Sequence, residues 1–146
     1  AAKARALWIS LYHLGVVRNP AEAALADFVK RQTGVRALEW VRDWEPVIEA
    51  LKKMAEREVD VDWAEYRVIK SGAVVKEYHP RRRVIEAQWR ILVAAGVVSP
   101  DKETVFACRF LGLDSIQSLF AFSDIQLDQV IEELGSRVRA ARRVAS

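Results

Sequence analysis

The chain has 146 residues, of which 51% are hydrophobic and 29% charged, with a formal net charge of +3. That length can bury one compact core or two small ones, and the composition is that of a soluble globular chain, neither disordered nor membrane-spanning. A single cysteine, Cys108, excludes an internal disulfide and fits a reducing compartment. No run approaches the length of a membrane span, no signal-peptide pattern opens the chain, and the mild basicity permits a nucleic-acid partner without requiring one.

In chain order, Lys3–Leu14 is the first predicted helix, with Ala4, Trp8, Leu11 and Gly15 at helical spacing and Tyr12 widening the stripe. Gly15-Val16-Val17 ends it. The stretch Asn19–Gly34 reads as a helix with both ends written in: Asn19 as cap, Pro20 at the first position, Glu22 reaching back to the cap. Leu25, Phe28, Val29 and Gln32 fall on one face beside Ala21 and Ala24, Lys30 and Arg31 sit in the last turn, and Gly34 stops the helix. A short helical turn is predicted over Arg36–Arg42. Asp43 then caps a helix to about Glu58, striped by Trp44, Val47, Ile48, Leu51 and Ala55.

Helical periodicity fades over Val59–His79. Tyr66–Lys70, Ser71-Gly72 and Ala73–Tyr78 fit a β-hairpin with a two-residue turn; the rival reading is a linker with a short helix at Trp63–Lys70. Pro80 opens the next predicted helix, Arg81–Ala95, with Ile85, Trp89, Leu92 and Gly96 on one face. Ser99 and Pro100 start a helix to about Leu111, with Phe106, Ala107, Phe110 and Leu111 on its apolar face and Gly112 ending it. Ser115–Phe122 is a further short helix. Ser123 and Gln126 form a capping box for the last helix, striped by Leu127, Val130, Ile131, Leu134 and Val138, and the chain closes on a basic tail from Arg137 to Arg143.

The two halves repeat each other. Trp8 aligns with Trp89 and Gly15-Val16-Val17 with Gly96-Val97-Val98, at an offset of 81 residues. Asn19-Pro20 aligns with Ser99-Pro100, Phe28–Arg31 and Gly34 with Phe106–Arg109 and Gly112, and Val47-Ile48-Glu49 and Leu51 with Val130-Ile131-Glu132 and Leu134. The expected fold is therefore mainly α: two related four-helix units, 1–58 and 80–146, packed together and joined by 59–79 with its candidate hairpin. Units of this size make marginal cores alone, which favours packing of one on the other.

The first unit resembles the GemA-like regulatory proteins of Mu-type transposable phages and prophages. The carrying residues are Arg5-Ala-Leu-Trp8, Leu14-Gly-Val-Val-Arg18, Ala24-Leu25, Phe28–Val35, Leu38 with Trp40, and Val47–Lys53. The second unit is similar to the other half of that family at Leu111-Gly112, Ser118-Leu119 and Ser123–Leu134, in reversed order. The resemblance implies a phage-type, cytoplasmic regulator of gene expression in a bacterial host, not an enzyme, with no catalytic residue to carry over. Its expected partners are double-stranded DNA or, alternatively, a host or phage regulatory protein bound by an adaptor that makes no DNA contact.

No metal or cofactor site is expected. His13 and His79 are too few and too far apart for zinc, Cys108 lacks a cysteine partner, and no glycine-rich phosphate loop or nucleophile–base grouping is present. The candidate nucleic-acid contacts are Lys30, Arg31 and Arg36; Arg81, Arg82 and Arg83; and Arg137, Arg139, Arg142 and Arg143. Solvated helix ends account for the same residues. Residues 1–58 and 80–146 each hold ten basic and eight acidic side chains, so neither unit is a dedicated basic module. A DNA-reading helix–turn–helix register fails at Lys30 when set on Gly34 and at Ser118 when set on Gly112. Trp8 and Trp89 are expected in the core, Trp40 and Trp44 are candidate partner-binding aromatics, and Trp63 is the candidate clamp between units.

Overall fold

The computed structural model describes residues 1–145. Six α-helices and one hairpin follow in the order α1 (Ala2–His13), α2 (Glu22–Thr33), α3 (Glu45–Val59), β1 (Tyr66–Lys70), β2 (Ala73–Tyr78), α4 (Pro80–Ala94), α5 (Glu103–Phe110) and α6 (Asp124–Ala145). The fold is mainly α, as the helical stripes predicted, and of the two readings left open for the connecting segment the short hairpin is the one formed. The stretches 36–42 and 115–122 form only single 3-10 turns, Leu38–Trp40 and Leu119–Ala121, and a third such turn, Pro100–Lys102, precedes α5.

The long helices pair within each unit, α1 along α3 and α4 along α6, and α1 also packs on α6. The predicted stripes face inward: Trp8, Leu11, Leu25, Phe28, Val29, Val47, Ile48 and Leu51 from the first half join Ile85, Trp89, Leu92, Leu127, Val130, Ile131 and Leu134 from the second in one core. Gln32 and Phe110, placed on apolar faces by spacing, are exposed, each in the last turn of its helix. α2 begins at Glu22, later than Pro20: the Asn19 carboxamide oxygen accepts from the Ala21 N–H at 2.9 Å and makes a turn before the helix starts. Freed from capping, Glu22 pairs with Arg5 of α1 at 2.6 Å.

The repeat is present atom by atom around the two tryptophans. Trp8 donates its indole N–H to the Asn19 carbonyl at 2.9 Å; Trp89 donates to the Ser99 carbonyl at 3.1 Å. Trp8 meets Phe28 with ring centroids 5.6 Å apart and 44° between planes, and Trp89 meets Phe106 at 5.7 Å and 45°. The first helix of each unit ends the same way, with Val16 N–H on the Leu11 carbonyl and Val97 N–H on the Leu92 carbonyl, across Gly15 and Gly96 at φ of 74° and 75°. Gly34 and Gly112 also follow helix ends in the left-handed region, at 78° and 70°, where a Cβ would be strained. The chain leaves both glycines without entering a second full helix, so neither corner is a DNA-reading helix–turn–helix.

The last helix keeps its predicted capping box. The Ser123 N–H donates to Gln126 Oε1 at 2.9 Å, and the Gln126 N–H to Ser123 Oγ at 3.2 Å. The basic tail is no tail: it is the C-terminal half of α6, which is 22 residues long against 15 for α3.

The hairpin turn has Ser71 and Gly72 both at positive φ, 52° and 78°, the geometry whose twist suits a two-residue hairpin loop. β1 and β2 pair antiparallel from Tyr66 opposite Tyr78 to Lys70 opposite Ala73, with one extra residue in β2 after Val74. Tyr66 and Tyr78 stack with centroids 4.6 Å apart, and Tyr78 meets Phe120 edge-on at 5.3 Å.

Candidate nucleic-acid interface

The three predicted basic groups do not converge. Lys30, Arg31 and Arg36 are exposed at and beyond the C-terminal end of α2, with no ion-pair partner among the described residues. Their placement suits the helix dipole, as the last-turn position led us to expect.

Arg81, Arg82 and Arg83 are a correction. Only Arg81 reaches the surface, and two carboxylates of α6 hold it there: Asp128 at 2.8 Å and Asp124 at 3.5 Å. Its guanidinium pKa is raised, chiefly by the Asp128 hydrogen bond. Arg82 and Arg83 are buried, 8% and 5% exposed. Arg83 lies 4.5 Å over the Tyr78 ring, donates to the Ala64 carbonyl and pairs with Glu86 and Asp62. It straps the connecting segment and hairpin to α4. Arg82 lies 4.4 Å over Phe120. The basic triplet at a helix start therefore turns inward onto aromatic rings instead of facing solvent as three charges in sequence would predict.

Trp63 shares in the strapping without spanning the units. It is half-buried and donates its indole N–H to the Lys52 carbonyl of α3, so it fixes the segment to the first unit while Arg83 fixes it to the second. Trp44 packs against the core; Trp40, on its 3-10 turn, is 65% exposed.

The arginines of α6 divide by helical geometry. Arg137 pairs with Glu133 at 3.2 Å and stacks over Phe106 at 4.7 Å, toward α5. Arg139, Arg142 and Arg143, spaced i, i+3 and i+4, face the other way. Together with Arg18, Tyr12 and the Gly15-Val16-Val17 corner they line a groove of about 680 Å³. Among the described residues four arginines line it and no acidic side chain does. The groove forms where the last turns of α6 lie beside the corner that closes α1.

Two glycines allow that approach. The stem of Arg142 lies where a side chain on Gly15 would stand, its Cδ 2.5 Å from the ideal Cβ position. Two turns earlier along α6, a Cβ on Gly135 would run into the His13 ring. Gly135 weakens a helix interior by about 1 kcal/mol relative to alanine, and here it lets α1 and α6 close. Gln88 of α4, fully buried, ties the same junction from a third side: its amide donates to the His13 carbonyl at 3.1 Å and the Ile131 carbonyl at 2.9 Å.

His13 orients Arg139. Arg139 Nη1 lies 3.2 Å from His13 Nδ1 and its guanidinium stacks 4.0 Å over Tyr12. A guanidinium only donates, so Nδ1 accepts and the imidazole is neutral, with its proton on Nε2. In keeping with that, burial first and the Arg139 charge second push the His13 pKa below its usual value, against a smaller pull from Glu132.

Arg18, Tyr12, Gly15 and His13 were missed as site residues by sequence reasoning. Arg18 closes the Leu14–Arg18 stretch and stands alone among neutral neighbours, so no charge cluster marked it. Among the described residues no three His, Cys, Asp or Glu side chains group as a metal site, and no helix is long and apolar enough to cross a membrane.

No curated protein and no solved structure matches the chain. Residues 1–57 match a family model, described as Bacteriophage Mu, GemA protein. That match spans α1, α2 and nearly all of α3, the unit that holds Arg18 and the Gly15 corner. Over its first helical unit the chain is thus similar to the GemA family of bacteriophage Mu.

Proposed function

We propose that the chain is a phage-type regulator that associates with DNA through the groove between the Gly15–Arg18 corner and the last turns of α6. The observation that carries the reading is the lining of that groove: among the described residues it holds Arg18, Arg139, Arg142 and Arg143 and no acidic side chain. Guanidinium groups are suited to phosphate oxygens, and three on one helix face at i, i+3 and i+4 follow a line, as a phosphate backbone does. Contacts of this kind position a protein on a duplex without reading its sequence. The match of residues 1–57 to a bacteriophage Mu protein family supports a phage setting. Lys30, Arg31 and Arg36 would extend the surface along the exposed side of α2, a helix about 18 Å long.

Fluorescence anisotropy of a labelled duplex over a salt series tests it. The expected result is an affinity that falls steeply and linearly on a log–log plot, with a slope that counts the phosphates engaged. Absence of binding to any duplex at low salt would refute it. A second reading rests on Trp40, whose 65% exposure is the largest of any aromatic side chain among the described residues. On that reading the chain is an adaptor that seats Trp40 in a pocket of a host or phage regulatory protein. Trp40→Ala would then abolish partner capture while leaving anisotropy unchanged.

A further inference from the structure

We propose that the corner closing α4, together with the outer side of the last turns of α6, is a docking trough for an amphipathic helix of a partner protein, one that carries carboxylates beside its apolar stripe. The repeat supplies the first observation. The corners Gly15-Val16-Val17 and Gly96-Val97-Val98 share one backbone shape, with matching φ at the glycine and the same hydrogen bond back to a leucine carbonyl. A helix covers the first: Val138 and Arg142 of α6 stand where a Cβ on Gly15 would meet them. The second is open. Among the described residues nothing lies within 4 Å of a Cβ placed on Gly96, and Val97 is 60% exposed. One copy of the corner seats a helix of the chain itself, and the other presents the same seat to solvent.

The walls of that seat are apolar. Two cavities, of about 360 and 590 Å³, run together at Val97, Val98 and Arg137. α6 lines the first with Arg137, Ala140, Ala141 and Val144, the i, i+3, i+4, i+7 face of two helical turns, and Val144 is 88% exposed. The paired alanines let a second helix axis approach closely. The other cavity continues along α5 to Phe110, 43% exposed. A trough of this shape takes the stripe of an amphipathic helix. The rim selects among such helices by charge. Lys102, Arg109 and Arg137 line the trough, and no acidic side chain among the described residues does. Glu133 pairs with Arg137 from its own helix, whereas Lys102 and Arg109 are exposed and have no ion-pair partner among the described residues. A duplex would leave Val97, Ala141 and Val144 unmatched, and the arginine groove lies on the opposite side of α6.

Fluorescence anisotropy of the full chain with two labelled peptides tests the proposal. Both are about five helical turns long with leucine at i, i+3, i+4 and i+7; one carries glutamate on its flanks and the other lysine at the same positions. The glutamate peptide is expected to bind with a Kd below about 100 µM, about tenfold more tightly than the lysine peptide. Val97→Asp and Ala140→Asp, both at exposed positions, should each weaken it about tenfold and leave duplex binding within about twofold. Reading duplex binding on the same samples separates loss of the trough from loss of the arginine groove. Equal binding of the two peptides, no binding at about 100 µM, or wild-type binding by a folded variant would overturn the proposal. Binding lost in Arg18→Ala/Arg142→Ala/Arg143→Ala would place the peptide in the arginine groove and overturn it too. A concentration-dependent dimer of the free chain that Val97→Asp abolishes would reassign the trough to a second copy.

Discussion

The two helical units share a skeleton and differ in what they attach to it. In both, a buried tryptophan donates to the carbonyl of the residue before a proline, Asn19 or Ser99, and a phenylalanine from the helix that follows leans on it at nearly the same angle. In the first unit the closing helix stops at Val59; in the second it runs on to Ala145. With Val47 set on Val130, Arg139 and Arg142 stand where α3 has Glu56 and Val59, so it is a change of side chains more than of length that puts arginines beside the corner of the other unit. The buried polar residues are lopsided too. Gln88, Arg82 and Arg83 all belong to the second unit, and Gln88 stands where the first unit has the buried Leu7. The packing around the tryptophans is alike in both units, while the charged side chains differ.

The largest effects should fall on the shared skeleton. Trp8→Ala and Trp89→Ala should each cost about 3–5 kcal/mol, since each removes a buried ring and leaves a carbonyl without its donor. Chemical denaturation should show nearly equal losses for the two; a loss confined to one would break the equivalence of the units.

The glycines that let α6 reach α1 come next. Gly135→Val should destabilise by about 1–3 kcal/mol, because its side chain has to displace His13. Gly15→Ala should cost about 1 kcal/mol for the left-handed backbone, and it should also weaken duplex binding, because Arg142 is pushed from its seat. Urea midpoints and anisotropy on the same samples would read both effects.

A smaller effect is tied to pH. The native state lowers the His13 pKa, so the unfolded chain binds the proton more readily. Stability from this residue is full above the unfolded value of about 6.5 and declines as pH falls through it, levelling off below the native pKa. Tm measured between pH 8 and 5 should show a step that His13→Gln removes. At the small end, Arg18→Ala and Trp40→Ala should change stability by no more than about 0.5 kcal/mol, because both side chains are exposed.

Much of the fold was legible because it rests on local signals. The stripes Val47-Ile48-Leu51 and Val130-Ile131-Leu134, the box at Ser123 and Gln126, the positive-φ glycines and the Ser71-Gly72 turn all lie within a few residues of the partners that define them. The site was less legible, for two physical reasons. Arg82 and Arg83 read as surface charges, since the rings that bury them, Phe120 and Tyr78, lie in other elements and nothing in the triplet announces them. The groove joins Arg18 to Arg139 and Arg142, more than a hundred residues away, through the packing of α6 beside the corner that closes α1. Splitting the closing basic run was within reach of the sequence: at helical spacing Arg137 faces away from Arg139, Arg142 and Arg143.

The groove as the DNA-contacting surface is tested most directly by comparing salt slopes for two triple variants with the wild type. Arg18→Ala/Arg142→Ala/Arg143→Ala should lower duplex affinity for every sequence alike and reduce the slope by about one unit for each phosphate no longer engaged, up to about three. Lys30→Ala/Arg31→Ala/Arg36→Ala should reduce it less, because that group lies at the far end of α2. An unchanged affinity and slope in the groove variant, with its fold intact, would contradict the account and leave the adaptor reading in its place.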